Sequence, residues 1–354
     1  MKLDDLGHLR ETDPSGMLGH IDSLPGQLAA AWDLGQSLPL PAREGIRQVL
    51  VCGMGGSAIG GDLVAAYTLP AIQVPLIVWR AYDLPAYVKG PETLVLASSH
   101  SGNTEEVLSA FDRGRKAGAR LVALTTGGQL ARRAEAAGVP LWRFEHQGQP
   151  RTAVGFSFGL LLAVLARLGL IPDPAAELAD AVAAMRRQQE ALRAEVPVVR
   201  NPAKRMAGQW VERWPTIIGS DLLAPVARRW RTQISELAKA IAQFEELPEA
   251  DHNLVAGVLN PEALSGKTMV VFLQASLNHP RNRLRIEATR EVLMVEGFNT
   301  DIVQAAGETR MAQQWTSLHF GDYSGYYLAM AYGVDPTPVA AIESLKQRLI
   351  KGEA

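Results

Sequence analysis

The sequence predicts an α/β protein built from two tandem doubly wound domains, each with a mainly parallel sheet flanked by helices. The length of 354 residues exceeds one ordinary domain of roughly 100 to 200 residues. Short β-branched runs alternate with helical stretches, which is typical of parallel sheets. The two halves also share a layout, since IIGSDLL in the second half resembles VCGMGGSAIG in the first.

The first half contains a predicted leading helix at residues 25–36 and then five short apolar runs that we interpret as strands. These predicted strands are residues 48–52, 75–79, 93–98, 120–125 and 140–144. Parallel strands need crossover connections, which are nearly always right-handed, so helices such as 105–117 should cover both faces. The binding crevice is then expected beyond the carboxyl ends of the strands.

The second half begins after a long helix at residues 175–195, where Asn201-Pro202 suits a helix cap followed by a first-turn proline. We therefore predict domains at 1–172 and 201–354, joined by a connecting helical segment at 173–200. The predicted strands are residues 215–220, 244–247, 269–274 and 300–304. The predicted helices are 226–241, 281–296 and two more that finish the chain.

Composition excludes several classes of protein. With 47% hydrophobic residues, 20% charged residues and a net charge of -2, the chain is neither disordered nor basic enough for typical nucleic-acid binding. The single Cys52 rules out an intrachain disulfide framework and a four-cysteine zinc site. The polar N-terminus lacks a secretory signal, and residues 156–171 are too short and too interrupted by Arg167 to span a bilayer. We expect a cytoplasmic protein with no membrane or nucleic-acid partner.

A glycine-rich segment, residues 53–61, follows the first predicted strand and opens a helix. Glycines allow backbone N–H groups to approach an anion, and a helix N-terminus adds donors and a favourable dipole. A tight, closely packed turn is the structural alternative. The segment also fits a dinucleotide fingerprint through Gly53, Gly55 and Ala58, but Trp79-Arg80 stands where an acidic residue is expected. A nicotinamide-dependent dehydrogenase is therefore the weaker alternative.

A second helix-opening segment, SSHSGNTEE at residues 98–106, follows the third predicted strand. The hydroxyls of Ser99, Ser101 and Thr104 join free backbone N–H groups in the same crevice as the glycine turn. Hydroxyls and amides together suit a phosphate monoester. An ordinary capping box would explain Thr104 but would leave the other two serines without a purpose.

The two motifs together resemble the sugar isomerase domain, a fold that binds phosphosugars. The resemblance continues through Arg151, the segment SELAK at 235–239 and the segment LPEADHN at 247–253. Over roughly residues 48–349 the chain resembles the bifunctional phosphoglucose/phosphomannose isomerases of bacteria and archaea, which contain two such domains. The implied activity is interconversion of glucose 6-phosphate, and of mannose 6-phosphate, with fructose 6-phosphate.

The resemblance also implies a role for each site residue. The phosphate would be held by Ser57, Ser99, Ser101 and Thr104, with Gly55 and Gly56 leaving room for the sugar. Glu236 would move a proton between C1 and C2, Arg151 would steady the enediolate, His252 would assist ring opening and Lys346 would reach the sugar ring. The histidine comes from the partner subunit in the family, so a homodimer is implied. Neither a metal nor a cofactor is required.

Two positions depart from the family pattern. Residue 100 is His where Tyr is more frequent, and Val339 stands where a threonine is expected, with Thr337 nearby. The second departure concerns the use of both C2 epimers more than isomerisation itself. Without the resemblance, Glu236 could be half of a surface ion pair with Lys239. A phosphosugar-binding sensor without catalysis is the alternative from another functional class.

Overall fold

The computed structural model describes residues 2–352, which contain thirteen α-helices and nine β-strands. The strands are β1 Gln48–Cys52, β2 Leu76–Trp79, β3 Thr93–Ser98, β4 Arg120–Thr125, β5 Leu141–Arg143, β6 Trp214–Ser220, β7 Gln243–Leu247, β8 Thr268–Gln274 and β9 Asn299–Gln304. The helices are α1 Leu6–Thr12, α2 Met17–Asp22, α3 Leu24–Gly35, α4 Gly55–Thr68, α5 Glu105–Lys116, α6 Gly128–Ala136, α7 Val154–Arg167, α8 Ala175–Leu192, α9 Pro202–Trp210, α10 Ala224–Ala238, α11 Pro280–Val295, α12 Arg310–Tyr332 and α13 Ala340–Lys351.

The first sheet has the strand order β2-β1-β3-β4-β5, and all four pairings are parallel. Five strands were predicted here, and the prediction is confirmed. The order reverses at β1, where Cys52 lies opposite Trp79 of β2 and Ala97 of β3. The turns that leave β1 and β3 therefore flank the switch point of the sheet, where doubly wound folds bind their ligands.

The second sheet repeats this arrangement with the order β7-β6-β8-β9, again wholly parallel. Ile218 lies opposite Phe272, as Cys52 lies opposite Ala97 in the first sheet. Three residues beyond these positions, Gly55 has a φ of +49° and Asp221 a φ of +48°. The matching backbone supports the predicted duplication. How the chain divides at residues 172 and 200 stays a prediction.

Prolines and caps account for the small differences between predicted and observed bounds. Pro75 and Pro140 precede their strands, yet their carbonyls accept hydrogen bonds from Val49 N and Ala123 N of neighbouring strands. The helix predicted over 226–241 ends at Ala238, because Lys239 adopts the left-handed conformation with a φ of +54°. The predicted Asn201 cap is confirmed, since its side chain accepts from the amides of residues 203 and 204.

Helix α7 contains most of the apolar stretch 156–171 that we predicted not to span a bilayer, and it packs in the core against α3 and α4. The stretch Pro150–Arg167 is long and apolar enough to cross a membrane, but 78% of it is buried inside the protein. Helix α12 is buried along most of its length and packs against α8, α9 and α10. One continuous apolar core therefore contains residues from both sheets.

Candidate active site

The glycine turn after β1 serves two purposes. Gly55 has a positive φ, and a Cβ there would meet nothing within 4 Å. A Cβ on Gly56 would lie 2.7 Å from the carbonyl oxygen of Pro150 and 3.2 Å from Arg151 Cα. Gly55 thus has open space beside it, and its predicted role of leaving room for a sugar stays a prediction. Gly56 instead allows the 3-10 helix Pro150–Ala153, which carries Arg151, to pack directly on the start of α4.

The serine loop after β3 is not an ordinary capping box. Thr104 occupies the N-cap position of α5, but its side chain makes no capping hydrogen bond. Its Oγ1 instead lies 2.8 Å from Ser99 Oγ, which also accepts from Gly102 N at 3.1 Å. Met54 at the N-cap of α4 likewise provides no side-chain cap. Amide donors at two helix starts consequently remain available to an anion.

The two motifs lie side by side at the switch point. The backbone N–H of His100 donates to Ser57 Oγ at 3.3 Å, which joins the serine loop to the start of α4. Ser57 and Ser99 are buried, whereas Ser101 is exposed and Thr104 half-buried. The structure therefore brings all four predicted phosphate ligands into one region. Two of them are open to solvent, where a phosphate can arrive.

Arg151, from the 3-10 helix before α7, and Glu236, from α10, are 85 residues apart in the sequence and form an ion pair in the structure. Arg151 Nη1 lies 3.5 Å from Glu236 Oε2, and the Arg151 side chain is only 4% exposed. Its Nη2 donates to the carbonyls of Pro336 at 2.8 Å and Thr337 at 2.6 Å. Burial lowers the pKa of Arg151 while the Glu236 carboxylate opposes that shift. The guanidinium stays charged, because arginine does not lose its proton in proteins.

The backbone of the Arg151 turn is anchored by a second buried ion pair. Arg229 of α10 donates through Nη2 to the Arg151 carbonyl at 3.1 Å and pairs with Asp322 of α12 at 2.6 Å. The side chains of the two partners are only 2% and 3% exposed. This pair fixes the turn from the side of the second sheet. Sequence reasoning missed Arg229, which lies in an otherwise ordinary helical pattern.

Lys239 is a further cation that sequence reasoning assigned only to a surface pair. Its Nζ donates to the carbonyls of Glu236 at 3.0 Å, Leu237 at 3.2 Å and Asp335 at 2.6 Å. The Glu236 carboxylate itself faces Arg151. Burial and the nearby Arg151 lower the pKa of Lys239. The surface ion pair considered for Glu236 is therefore not what the structure shows.

A cavity of about 450 Å³ opens beside Glu236, between the end of α10 and the start of α13. Its walls include Ser235, Lys239, Val339 and Ile342. Lys346 follows Ile342 by four residues, so both lie on the same face of α13. The Lys346 side chain is exposed. The structure thus places Lys346 toward the cavity's side of α13 without bringing it to Glu236.

His252 lies away from the pair in this single chain. It ends the 3-10 helix Glu249–His252 after β7, and its side chain is exposed. The neighbouring Asp251 holds this turn by accepting from Arg285 at 2.6 Å and from Thr289 at 2.7 Å. The structure therefore presents His252 to the outside of the chain.

Comparison with known proteins identifies the chain's relatives. The bifunctional phosphoglucose/phosphomannose isomerase of Caldicellulosiruptor bescii is 37% identical over 337 residues, covering 94% of this chain and 98% of that protein. The protein of the same name from Aquifex aeolicus is 33% identical over 304 residues, covering 86% and 90%. The chain belongs to the bifunctional phosphoglucose/phosphomannose isomerase family. A profile described as the bacterial phospho-glucose isomerase C-terminal SIS domain matches residues 199–349.

The fold of the family agrees with solved structures. A hypothetical protein from Thermus thermophilus superposes with a TM-score of 0.74 at 17% identity, over 98% of this chain and 92% of that one. Membership of this isomerase family leaves the dinucleotide alternative without support. Arg80, which would have to receive a cofactor phosphate, instead forms an ion pair with Asp62 of α4. Arg228 of α10 donates to the same carboxylate at 3.1 Å.

Proposed function

We propose that the protein is an aldose–ketose isomerase that interconverts glucose 6-phosphate, and also mannose 6-phosphate, with fructose 6-phosphate. The names of its relatives support this activity. The observation that carries it is the pairing of Glu236 with the buried Arg151 beside two uncapped helix starts. A carboxylate base, a fixed cation and an anion site are the three parts that this reaction requires.

The phosphate group anchors one end of the substrate. The hydroxyls of Ser57, Ser99, Ser101 and Thr104 and the amides that begin α4 and α5 supply its hydrogen bonds. Negative charge at these helix N-termini is favoured by the helix dipole. Ser99 and Thr104 already share a hydrogen bond, so their hydroxyls are oriented before the substrate arrives. The open space at Gly55 leaves room for the chain of the sugar.

Glu236 and Arg151 act on the other end of the open-chain sugar. The Glu236 carboxylate removes the proton from C2 of the aldose, the C2–H electron pair forms the C1–C2 double bond, and negative charge develops on O1. The Arg151 guanidinium stabilises this charge in a site that largely excludes water. A proton then moves from O2 to O1. The protonated Glu236 returns its proton to C1, and fructose 6-phosphate results. The atoms balance without an oxidant or reductant.

Ring opening requires a further acid or base, which we assign to His252 of the partner subunit in a homodimer. The exposure of His252 in the single chain supports this assignment. Apolar side chains of α13 support the dimer, since Ile342 is 42%, Leu345 57% and Leu349 65% exposed. We propose that Lys346, on this same helix, contacts the sugar ring after assembly.

The use of both C2 epimers depends on the wall of the site opposite the base. Val339 lines the cavity beside Glu236 where the family pattern leads us to expect a threonine. The hydroxyl of Thr337 is buried and has no hydrogen-bond partner among residues 2–352. Its carbonyl already accepts from Arg151. We propose that Thr337 supplies the hydroxyl that Val339 lacks, so that mannose 6-phosphate is also a substrate.

The direct test measures formation of fructose 6-phosphate from glucose 6-phosphate and, separately, from mannose 6-phosphate. Wild-type protein treated with a chelator should convert both, because the proposed mechanism uses neither a metal nor a cofactor. The enzyme is expected to act in the cytoplasm. Glu236→Gln should lower turnover by about 10² to 10⁴-fold, the usual contribution of a general base. Glu190→Gln, on the exposed surface of α8, is the matched control and should retain full activity.

Three outcomes discriminate between the alternatives. Conversion of glucose 6-phosphate alone would show that Thr337 does not replace the threonine expected at 339. Binding of hexose phosphates without turnover by wild-type protein would favour a sensor. Turnover that survives Glu236→Gln would contradict the assignment of the base.

A further inference from the structure

Three histidines gather beside the serine loop. His100 belongs to that loop, His146 follows β5, and His20 lies on α2. The ring centroids of His100 and His146 are 5.1 Å apart, and those of His20 and His146 are 5.6 Å apart. The mechanism proposed above uses none of these rings.

Two of the three rings form a directed chain of hydrogen bonds. Thr152 Oγ1 donates to the carbonyl of Gln149 at 2.8 Å, so its oxygen is left to accept from His146 Nε2 at 3.4 Å. With its proton on Nε2, His146 accepts through Nδ1 from His100 Nε2 at 3.0 Å. One arrangement of neutral rings, each with its proton on Nε2, therefore satisfies every step. The His20 ring makes no hydrogen bond among residues 2–352, and only the His20 carbonyl accepts one, from Ser23 Oγ.

This chain joins the two parts of the site. At one end, His100 is fixed by its backbone, which donates to Ser57 Oγ at 3.3 Å and accepts from Thr126 Oγ1 at 2.7 Å. At the other end, Thr152 directly follows Arg151 in the same 3-10 helix. The serine loop and the Arg151 turn are thus connected through three side chains, those of His100, His146 and Thr152.

We propose that His100 and His146 are positioning residues that set the separation between the serine loop and Arg151. The proposal rests on the isomerase function stated above. A substrate held by its phosphate must present its reacting carbons to Arg151 and Glu236. A misplacement of about 1 Å between these ends can cost on the order of 10²-fold in rate.

The surroundings of the rings favour the neutral arrangement. Phe144 contacts the His100 ring edge-on at 6.0 Å between centroids, and Phe156 contacts His146 at 6.1 Å. Burial lowers the pKa of His100, and burial together with the other two histidines lowers the pKa of His146 to about 4. Both rings are therefore uncharged at neutral pH. They act by geometry and do not provide charge for the phosphate.

The test compares His146→Phe, which keeps a ring but removes both hydrogen bonds, with His146→Asn, whose side-chain oxygen can still accept from His100. His20→Phe is the matched control. We measure kcat and KM for glucose 6-phosphate together with the inhibition constant of inorganic phosphate. His146→Phe should lower kcat at least about tenfold while the inhibition constant changes less than about twofold. His146→Asn should recover part of kcat, and His20→Phe should resemble wild type.

A merely structural role would lower the melting temperature without this selective loss of kcat. If His146→Phe does not fold, His100→Phe tests the same link from its other end. Unchanged kcat in a folded His146→Phe or His100→Phe protein overturns the proposal, as does an inhibition constant for phosphate that rises in proportion to the loss of activity. Absence of turnover by wild-type protein would instead defeat the isomerase function itself, and this proposal with it.

Discussion

A single buried guanidinium connects the two halves of the site. Arg151 approaches the Glu236 carboxylate and donates to two carbonyls that precede α13. Its Nε has no partner among the described residues and is buried. The planar guanidinium can reach all of these acceptors at once, which an ammonium group cannot do. The residue type therefore matters here as much as its charge.

The substitution Arg151→Lys should accordingly lower kcat/KM by about 10² to 10³-fold, the usual cost of removing one donor to a developing oxyanion. Arg228→Lys, on α10 but 39% exposed and bound to Asp62, is the control and should change kcat/KM little. Steady-state kinetics with glucose 6-phosphate provide the measurement. Near wild-type kcat/KM in Arg151→Lys would show that any cation suffices.

The buried His146 should make the stability of the protein depend on pH. The pKa of His146 is lowered to about 4, from an ordinary value of 6.5, chiefly by burial. Its neutral form is thus favoured by folding, and the unfolded chain binds more protons as the pH falls below 6.5. The stability that the neutral His146 ring contributes to the fold is therefore fully present above about pH 6.5 and is lost progressively as the pH falls toward 4. Urea unfolding midpoints should fall over this range and fall less steeply in His146→Phe. Equal slopes in the two proteins would contradict the assigned protonation state.

Glycine positions determine how closely elements approach one another. Gly56→Ala would place a Cβ 2.7 Å from the Pro150 carbonyl and so displace the turn that carries Arg151. We expect at least about a tenfold loss of kcat, because the Arg151 guanidinium would move relative to the serine loop. Gly26→Ala on α3, where a Cβ would meet nothing within 4 Å, should keep its activity. Wild-type kcat in a folded Gly56→Ala protein would show that the turn adapts.

The turns that follow the first strand of each sheet, β1 and β6, differ at one informative position. Asp221, which matches Gly55 in backbone conformation, accepts hydrogen bonds from His279 N and from Asn282 Nδ2, both at 2.9 Å. His279 is the N-cap of α11, as Thr104 is of α5. A carboxylate of the chain itself therefore lies at the helix start where the first half has its serine loop.

Most elements were predictable because their patterns are local. Both sheets follow from short apolar runs, and helices such as α5 follow from amphipathic spacing. The short helices α1 and α2 were missed, because a polar segment gave no periodic signal. Their ends are instead fixed by Asp5 and Asp13, which accept from nearby backbone amides. The end of α10 depended on the conformation of Lys239, which no pattern in the sequence indicates.

The site was less predictable from the residues alone. The phosphate region follows from local motifs at two strand ends. The meeting of Arg151 with Glu236 depends on packing between distant segments, so only the family resemblance indicated it. His146, Arg229 and Asp322 lie in segments with no distinguishing spacing, and their contacts could be found only in the folded chain.

The whole molecule is expected to work as a dimer with shared sites. Mixing Glu236→Gln with His252→Ala, each inactive alone, should restore activity after subunit exchange, because one site of the mixed dimer receives an intact residue from each chain. In an equal mixture, half of the dimers contain one chain of each variant. Each of these dimers has one intact site out of two, so the mixture should regain about a quarter of the wild-type activity. Mixing Glu236→Gln with Arg151→Gln is the control, since both residues belong to one chain's part of the site. Equal recovery in both mixtures would contradict a shared site.

Glu236 is proposed to carry a proton between C1 and C2 of the sugar. The most direct test runs the reaction in deuterium oxide and follows deuterium at C1 and C2 of the hexose phosphates by mass spectrometry and NMR. We expect deuterium at these carbons with wild-type protein, because a carboxylic acid can exchange its proton with solvent, and none with Glu236→Gln. Rapid isomerisation by wild-type protein with no deuterium in any product would indicate direct hydride transfer and contradict proton transfer by Glu236.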